Sequence, residues 1–337
     1  MKIKAKITVI VPIYNVEKYI SKCLESLIEQ KFQDFVVFAI SDGSTDSSMD
    51  IVKKYSKKDQ RIIPWIKENG GYGSVLEYAI KRVKTEYFLI CDPDDWLSKD
   101  ALDVLYKFSS SNKLDLLIAD KYKVYVNEES KEYIKSFNNI KEIEPKKIYT
   151  TDEEIQSFAF GESSPHAKLF RTSIAKNIKF PHKVSYTDTI LYAISLINCQ
   201  RIAYYNKGLA YYLIDRPGNS MTEKSIKKLN DNIVVIDSIF NQVLDHANKT
   251  NVILYYLYSL TIQLLNEFSE YPKKLISKNY KKKIIFLLNK LLPYKQYIYT
   301  EISVKESERR KMIFKGLMNR KTQNKVITLY LLYMGLK

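Results

Sequence analysis

Residues 7–46 read ITVIVPIYNVEKYISKCLESLIEQKFQDFVVFAISDGSTD. Ile7 to Ile13 is a short apolar run rich in β-branched residues, with Pro12 near its end, which is the composition of a buried strand. From Glu17 to Glu29 the apolar residues fall at Tyr19, Ile20, Cys23, Leu24, Leu27 and Ile28, a helical spacing. Phe35 to Ile40 is again a strand. Strand and helix thus alternate from the start, and in such chains the strands form a mainly parallel sheet with helices on both faces.

The alternation continues downstream. Asp46 to Tyr55 reads as a helix capped by Ser44, Thr45 or Asp46, and Ile62 to Ile66 as a strand. Tyr72 to Val83 is helical, Tyr87 to Cys91 a strand, Lys99 to Phe108 a helix and Leu114 to Ala119 a strand. Lys121 to Ile148 loosens into polar, alternating segments that suit a hairpin. Thr151 to Ala159 and Asp188 to Ile197 look helical, and Ile202 to Tyr205 and Leu209 to Ile214 look like two strands. After Thr222 the pattern is helical throughout, with Leu229, Ile233, Ile236, Phe240 and Val243 on one stripe. The expectation is an α/β domain over residues 1–221, its first 120 residues for one ligand and residues 121–221 for another, followed by a helical region over 222–337.

Composition sets the class. A chain of 337 residues with 45% hydrophobic content is neither disordered nor low-complexity. Its 27 tyrosines suit core packing and equally a saccharide-stacking surface. Cys23, Cys91 and Cys199 form no C-x-x-C pair, which favours a reducing cytoplasm over a disulfide framework. Met1 to Lys6 runs directly into the first strand without a signal-peptide pattern. The longest apolar stretch, Val252 to Leu265, is interrupted by Ser259, Thr261 and Gln263 and falls short of the about 20 residues of a membrane span.

The net charge of +16 is uneven: residues 271–337 hold 17 Lys and Arg against 3 Asp and Glu, which leaves +2 for the first 270. Lys281-Lys282-Lys283 and Arg309-Arg310-Lys311 each precede apolar runs. Basic amphipathic helices of this kind lie on anionic membranes, here the inner face of a cell membrane. They equally pack their apolar side inward and leave the bases solvated.

Three polar signatures follow strands one, two and four: Pro12-Ile13-Tyr14-Asn15-Val16-Glu17, Ser41-Asp42-Gly43-Ser44-Thr45-Asp46 and Asp92-Pro93-Asp94-Asp95. In an open α/β sheet, ligands bind beyond the carboxyl ends of the strands, so the three share one crevice. Asp92-Pro93-Asp94-Asp95 sets three carboxylates in four residues, whose mutual repulsion a divalent cation such as Mg²⁺ or Mn²⁺ would relieve. An Asp in such a place also caps helices, a role open to Asp95 and to Asp188. Asp42-Gly43 suits a tight turn, and Asn69-Gly70-Gly71-Tyr72-Gly73-Ser74 a glycine loop whose backbone can approach a phosphate.

Val11 to Glu17, Ser41 to Asp46 and Asp92 to Trp96, in this order and spacing, resemble glycosyltransferase family 2, which has the GT-A fold. The similarity continues through Pro165 to Arg171, Thr187-Asp188-Thr189 and Tyr211-Tyr212 to Arg216 and Ser220, and covers roughly residues 5–222. The resemblance implies an inverting transferase using a UDP-sugar donor with Mn²⁺ or Mg²⁺, and a glycan or lipid-linked acceptor. It places Pro12, Tyr14 and Glu17 in the nucleotide pocket with Asn69 and Gly71, Asp42 at the base, and Asp92 at the ribose or sugar. Asp94 matches the metal ligand, Asp188 the general base, and Arg216 and Ser220 a loop closing over the diphosphate. Asp95, His166 and Lys168 are further candidates. Relatives often carry Glu at position 187, Ala-Arg-Asn at Val75-Leu76-Glu77 and Trp-Asn at His166-Ala167. Two rivals use the same features differently: a two-metal nucleotidyltransferase releasing pyrophosphate, and a nucleic-acid binder acting through the basic tail. The near-neutral first 270 residues speak against nucleic acid.

Overall fold

A computed structural model describes residues 5–126, 130–137, 143–216, 225–271 and 278–334. The chain divides into two compact units, Met1–Lys224 and Ser225–Lys337. The boundary expected after residue 221 lies outside the described residues.

In the first unit β1 (Ile7–Ile13) is buried at all seven positions, as a strand in the middle of a parallel block must be. Elements then alternate through α1 (Ile20–Ile28), β2 (Phe35–Asp42), α2 (Ser48–Lys58), β3 (Ile62–Lys67), α3 (Tyr72–Arg82), β4 (Tyr87–Ile90), β5 (Trp96–Leu97), α4 (Ala101–Asn112) and β6 (Leu116–Val124). The chain continues with β7 (Lys131–Ile134), β8 (Ile148–Tyr149), α5 (Asp152–Ser157), β9 (Lys168–Arg171), α6 (Thr172–Ala175), α7 (Asp188–Asn198) and β10 (Ile202–Leu213). The period of two sends Ile7, Val9, Val11 and Ile13 into the core with buried residues of α1, α2 and α4. On the alternate positions α3 packs over β1 and β2. Ile20, Cys23, Leu24 and Leu27 are the buried face of α1, the Ile and the two Leu each contributing about 1.5–3 kcal/mol if fully withdrawn from water.

The sheet order is β3-β2-β1-β4-β9-β6-β10-β5. The first four strands are parallel, whereas β9 runs antiparallel to both β4 and β6, and β5 antiparallel to β10. The expected parallel sheet is therefore a parallel block joined to a mixed half. The hairpin expected after Lys121 is β6 paired with β7. The two strands expected between Ile202 and Ile214 are one, β10, with register shifts between Tyr205 and Ala210. Gly208 reads as a turn residue, but a Cβ there would lie 2.3 Å from the Tyr122 ring, so glycine serves the close approach of β10 to β6.

Helix starts also differ from expectation. Residues 14–19 form a loop, with the Val16 carbonyl accepting from Tyr19 and Ile20, and α1 starts only at Ile20. Ser47 takes the cap position of α2, while Asp46 Oδ1 accepts from the Ser48 amide at 3.0 Å. Asp95 caps no helix: Trp96 and Leu97 first pair with Tyr211 and Ala210, and α4 begins at Ala101. All three cysteines are buried thiols, with Cys23 and Cys91 Sγ atoms 3.7 Å apart.

The second unit comprises α8 (Ile226–Leu244), α9 (Asn251–Ser269), α10 (Lys278–Leu291), α11 (Lys295–Lys305), α12 (Glu308–Leu317) and α13 (Gln323–Met334). The stripe Leu229, Ile233, Ile236, Phe240 and Val243 is the buried face of α8. α9 packs against α8, α10, α11 and α13 and buries residues on most of its circumference, which explains its interrupted but dominant apolar run. Among the described residues no helix is long and apolar enough to cross a membrane.

Candidate functional site

Because β1 lies between β2 and β4, the loops after all three strands come together at their carboxyl ends. Two are laced directly. The Thr45 amide donates to Asn15 Oδ1 at 2.9 Å, the Val16 amide to Ser48 Oγ at 2.9 Å, and the Glu17 amide to Asp46 Oδ2 at 2.9 Å. Glu17 Oε2 returns the exchange by accepting from the Ser47 amide at 2.9 Å, so its carboxylate holds the two loops together. Pro12 is buried in register with Ile40, and Tyr14 stands 53% exposed beside it.

Asp42 is buried at 3% exposure. Its Oδ1 accepts from Lys67 Nζ at 2.6 Å and from the Gly70 amide at 2.9 Å, and its Oδ2 from the Gly71 amide at 2.7 Å. Asn69 Nδ2 donates to the Asp42 carbonyl at 3.0 Å. A carboxylate offers about four acceptor positions, so one on Oδ2 remains for an outside donor. The glycines serve the chain's own packing. Gly71 has φ +83°, and a Cβ on it would lie 2.9 Å from the Lys183 amide nitrogen. A Cβ on Gly73 would lie 2.9 Å from the Pro181 carbonyl oxygen and 3.0 Å from the Thr187 side chain, so glycine lets α3 approach this segment closely. The Lys183 amide also donates to the Gly70 carbonyl at 2.6 Å.

The carboxylate loop divides its three Asp. Asp92 Oδ1 accepts from the Tyr72 hydroxyl at 2.8 Å, and its Oδ2 lies 3.6 Å from His166 Nε2. Asp95 Oδ2 meets the same Nε2 at 2.6 Å, and Asp95 Oδ1 accepts from the Leu213 amide at 2.8 Å. Asp94 turns the other way and pairs with Arg216 Nε, whose guanidinium lies 5.5 Å from the centre of the Tyr19 ring. Ser220, the other expected residue of that segment, lies outside the described residues.

Asp92, Asp95 and His166 offer ligand atoms all within 4.8 Å of one another. Burial pushes Asp92 up to about 7, against the pull of His166. Burial, followed by the charge of Asp94, also raises Asp95. Burial and then Lys121 push His166 down to about 4, so at neutral pH its ring is in the form that ligates metals. His166 Nδ1 is buried with no hydrogen-bond partner among the described residues. A half-buried and a buried carboxylate beside a neutral imidazole fit a hard divalent cation, and the nitrogen donor suits Mn²⁺ better than Mg²⁺.

Asp188 is the first residue of α7, and the cap position belongs to Thr187, whose side chain makes no capping bond. Burial raises the Asp188 carboxyl, while His166 and the Thr189 amide pull it down. Its charge also acts on Tyr72 and Lys168, which puts it in electrostatic reach of the carboxylate loop. Lys168 is 1% exposed, donates to the Ser164 carbonyl, and is pushed down to about 7 by burial and then by Lys121. Lys121 itself binds Glu162 at 3.0 Å and Ser164 Oγ at 2.7 Å. Asn15, Ala167, Lys183 and Tyr186 all have positive φ, between 50° and 63°. They flank the loops just described, and such strain of about 1–2 kcal/mol per residue gathers at functional sites.

The pattern of motifs did not reveal Tyr72, Lys67 or Lys121. Tyr72 sits inside the glycine loop and was open to selection there; Lys67 and Lys121 carry no local signal, because each acts on a partner far away in sequence.

A family model described as glycosyl transferase family 2 matches residues 8–179. The glycosyltransferase GlyA of Streptococcus pneumoniae is 31% identical over 241 residues, 68% of this chain and 34% of that protein. A poly(ribitol-phosphate) beta-glucosyltransferase of Bacillus spizizenii is 30% identical over 225 residues, 64% of this chain and 33% of its own length. The chain thus spans about a third of the length of these curated relatives. The crystal structure of Staphylococcus aureus TarS 1–349 in complex with UDP-GlcNAc superposes with a TM-score of 0.66 at 22% identity, covering 97% of this chain and 90% of that one, a likeness of fold.

Proposed function

This chain belongs to glycosyl transferase family 2, and on that premise we propose that it moves a sugar from a UDP-sugar to a hydroxyl of a glycan or polyol-phosphate acceptor in bacterial surface polymer synthesis. The observation that carries the reading is the cluster of Asp92, Asp95 and His166 in the loop after β4 and its antiparallel neighbour, with Asp188 in electrostatic reach of His166. A UDP-sugar donor is supported by the UDP-GlcNAc bound to the TarS structure.

In this mechanism Tyr14, on the exposed rim beside Pro12, stacks on the base, and the open position on Asp42 Oδ2 accepts from it. Glu17 holds the two loops that shape the pocket, and Asn69 and Gly71 fix its floor. Asp188 takes the proton of the acceptor hydroxyl as that oxygen attacks the anomeric carbon. The bond from the anomeric carbon to the diphosphate breaks on the opposite face, so the configuration inverts. Arg216, and Ser220 beyond the described residues, offset charge on the departing UDP. Asp92, Asp95 and His166 would hold Mn²⁺ or Mg²⁺, which neutralises diphosphate and leaving-group charge. Asp94 joins that set if Arg216 shifts to the donor. Lys168 is a positioning residue behind Asp188.

Release of UDP from a UDP-sugar in the presence of Mn²⁺ tests the reading. Pyrophosphate release would instead support the nucleotidyltransferase, and no turnover with single-stranded RNA binding would support the nucleic-acid reading. Attachment of residues 271–337 to the inner face of an anionic membrane is a separate part of the proposal. Ile284, Leu287, Leu288 and Leu291 are spent inside the helical unit, leaving Phe286, Met312, Leu329 and Leu332 exposed for such contact. Flotation with anionic and neutral liposomes decides it: binding must need anionic lipid and weaken with salt.

A further inference from the structure

We propose that the helical unit carries a second binding site, a groove between α10, α11 and α12 that takes a hydroxylated polyanion, a chain of polyol or sugar units joined by phosphates. The groove has a volume of about 790 Å³, within the roughly 300–1,000 Å³ of ligand-binding clefts. Three kinds of chemistry line it, and together they select the ligand.

The first is charge. Lys295, Lys315 and Arg320 line the groove, and no acidic residue does. None of the three forms an ion pair among the described residues, whereas neighbouring bases do: Lys305 with Glu301, Arg310 with Glu306 and Lys311 with Glu308. Glu308 is within electrostatic reach of Lys315 but is already held by Lys311 at 2.8 Å. Three cations without an acidic partner among the described residues thus line one concavity, where an anion gains from all three.

The second is an aromatic wall. Tyr299 stacks on Phe314 with centroids 5.9 Å apart and planes at 24°, and Lys315 Nζ lies 5.5 Å from the centre of the Tyr299 ring. Such a ring receives the C–H face of a sugar or polyol. The third decides between a bare anion and a hydroxylated one. Asn289 Oδ1, on the groove wall, is buried and has no hydrogen-bond partner among the described residues. An unmet buried acceptor is costly, and a ligand that donates O–H or N–H to it on binding relieves it. Gln296 and Asn319 add amides beside it. Inorganic polyphosphate, whose internal phosphates are fully ionised, supplies almost no such donor at neutral pH, and a flat lipid surface does not enter a groove.

The identity of the chain as an acceptor polymer rests on the proposed transfer reaction; the binding site does not. The experiment uses the whole chain and poly(ribitol phosphate) as probe, with affinity measured calorimetrically in the absence of donor. Wild type is expected to bind it in preference to inorganic polyphosphate. Lys315→Glu and Arg320→Glu, both exposed, are expected to weaken binding about fivefold or more each, with melting temperature unchanged. Asn289→Leu is expected to lower affinity for poly(ribitol phosphate) alone and to leave polyphosphate binding as it was. In turnover, the charge variants raise KM for long acceptors and leave KM for the UDP-sugar and kcat unchanged. Equal binding by wild type and charge variants, or equal affinity for polyphosphate, overturns the proposal. So does tighter binding of single-stranded RNA or of phosphatidylglycerol vesicles at this groove. UDP-sugar hydrolysis is measured separately, so loss of the transfer reading leaves the calorimetry standing.

Discussion

Asp95 and His166, 71 positions apart in the sequence, meet at 2.6 Å through Oδ2 and Nε2, and Asp92 lies 3.6 Å from the same nitrogen. This meeting places an imidazole against two carboxylates of one loop. His166→Ala is therefore expected to weaken Mn²⁺ binding at least about tenfold and to lower turnover in parallel. Titration of Mn²⁺ followed by electron paramagnetic resonance reads the affinity directly. Unchanged affinity would make His166 a structural partner of Asp95 only.

Activity is expected to vanish in EDTA and return with Mn²⁺. Asp92→Asn should behave like metal removal, because it takes away charge without volume. Full turnover by that variant, or in EDTA, would remove the cation from the mechanism.

Asp188→Asn is expected to keep UDP affinity and to lower kcat by about 10²–10⁴-fold, the usual contribution of a general base. Product NMR should show an inverted anomeric centre; retention would reject single displacement. A variant that unfolds but keeps normal specific activity in its folded fraction would reduce Asp188 to a residue of the helix start.

Gly71→Ala is expected to destabilise the first unit by about 1–3 kcal/mol from the backbone alone, because φ 83° and ψ 169° lie in a region that is essentially glycine-only. The contact at 2.9 Å with the Lys183 backbone adds to this. Thermal melting reads it, at roughly 2–4 °C per kcal/mol for a domain of this size. No shift would mean that the loop relaxes freely, contrary to its hydrogen bonds with Asp42 and Lys183.

The sequence was clearest where local periodicity and tertiary role coincide. Ile7 to Ile13 is apolar at every position but Thr8 because it is wholly buried, and the three loops after β1, β2 and β4 converge as parallel topology requires. It was least clear where a partner is remote. Nothing local to Lys168–Arg171 shows that this short strand enters between β4 and β6 in the antiparallel sense. Asn206-Lys207-Gly208 looks like a turn, and only the Tyr122 ring explains the glycine inside a continuous β10. Asp95 looked like a cap because its partners, His166 and Leu213, are 71 and 118 residues away. The charge of the last helices was visible, but not that three of its cations share one groove.

The clamp between Gly70, Gly71 and Lys183 has a consequence for recombination. The Lys183 amide closes on the Gly70 carbonyl at 2.6 Å, and Asp188 follows five positions later. The loop after β3 and the lead-in to α7 are therefore one mechanical part made from two distant stretches of chain. A chimera that imports residues 67–74 from a relative without residues 181–188 would inherit mismatched halves of a hinge. In this scaffold the two stretches are exchangeable only as a pair.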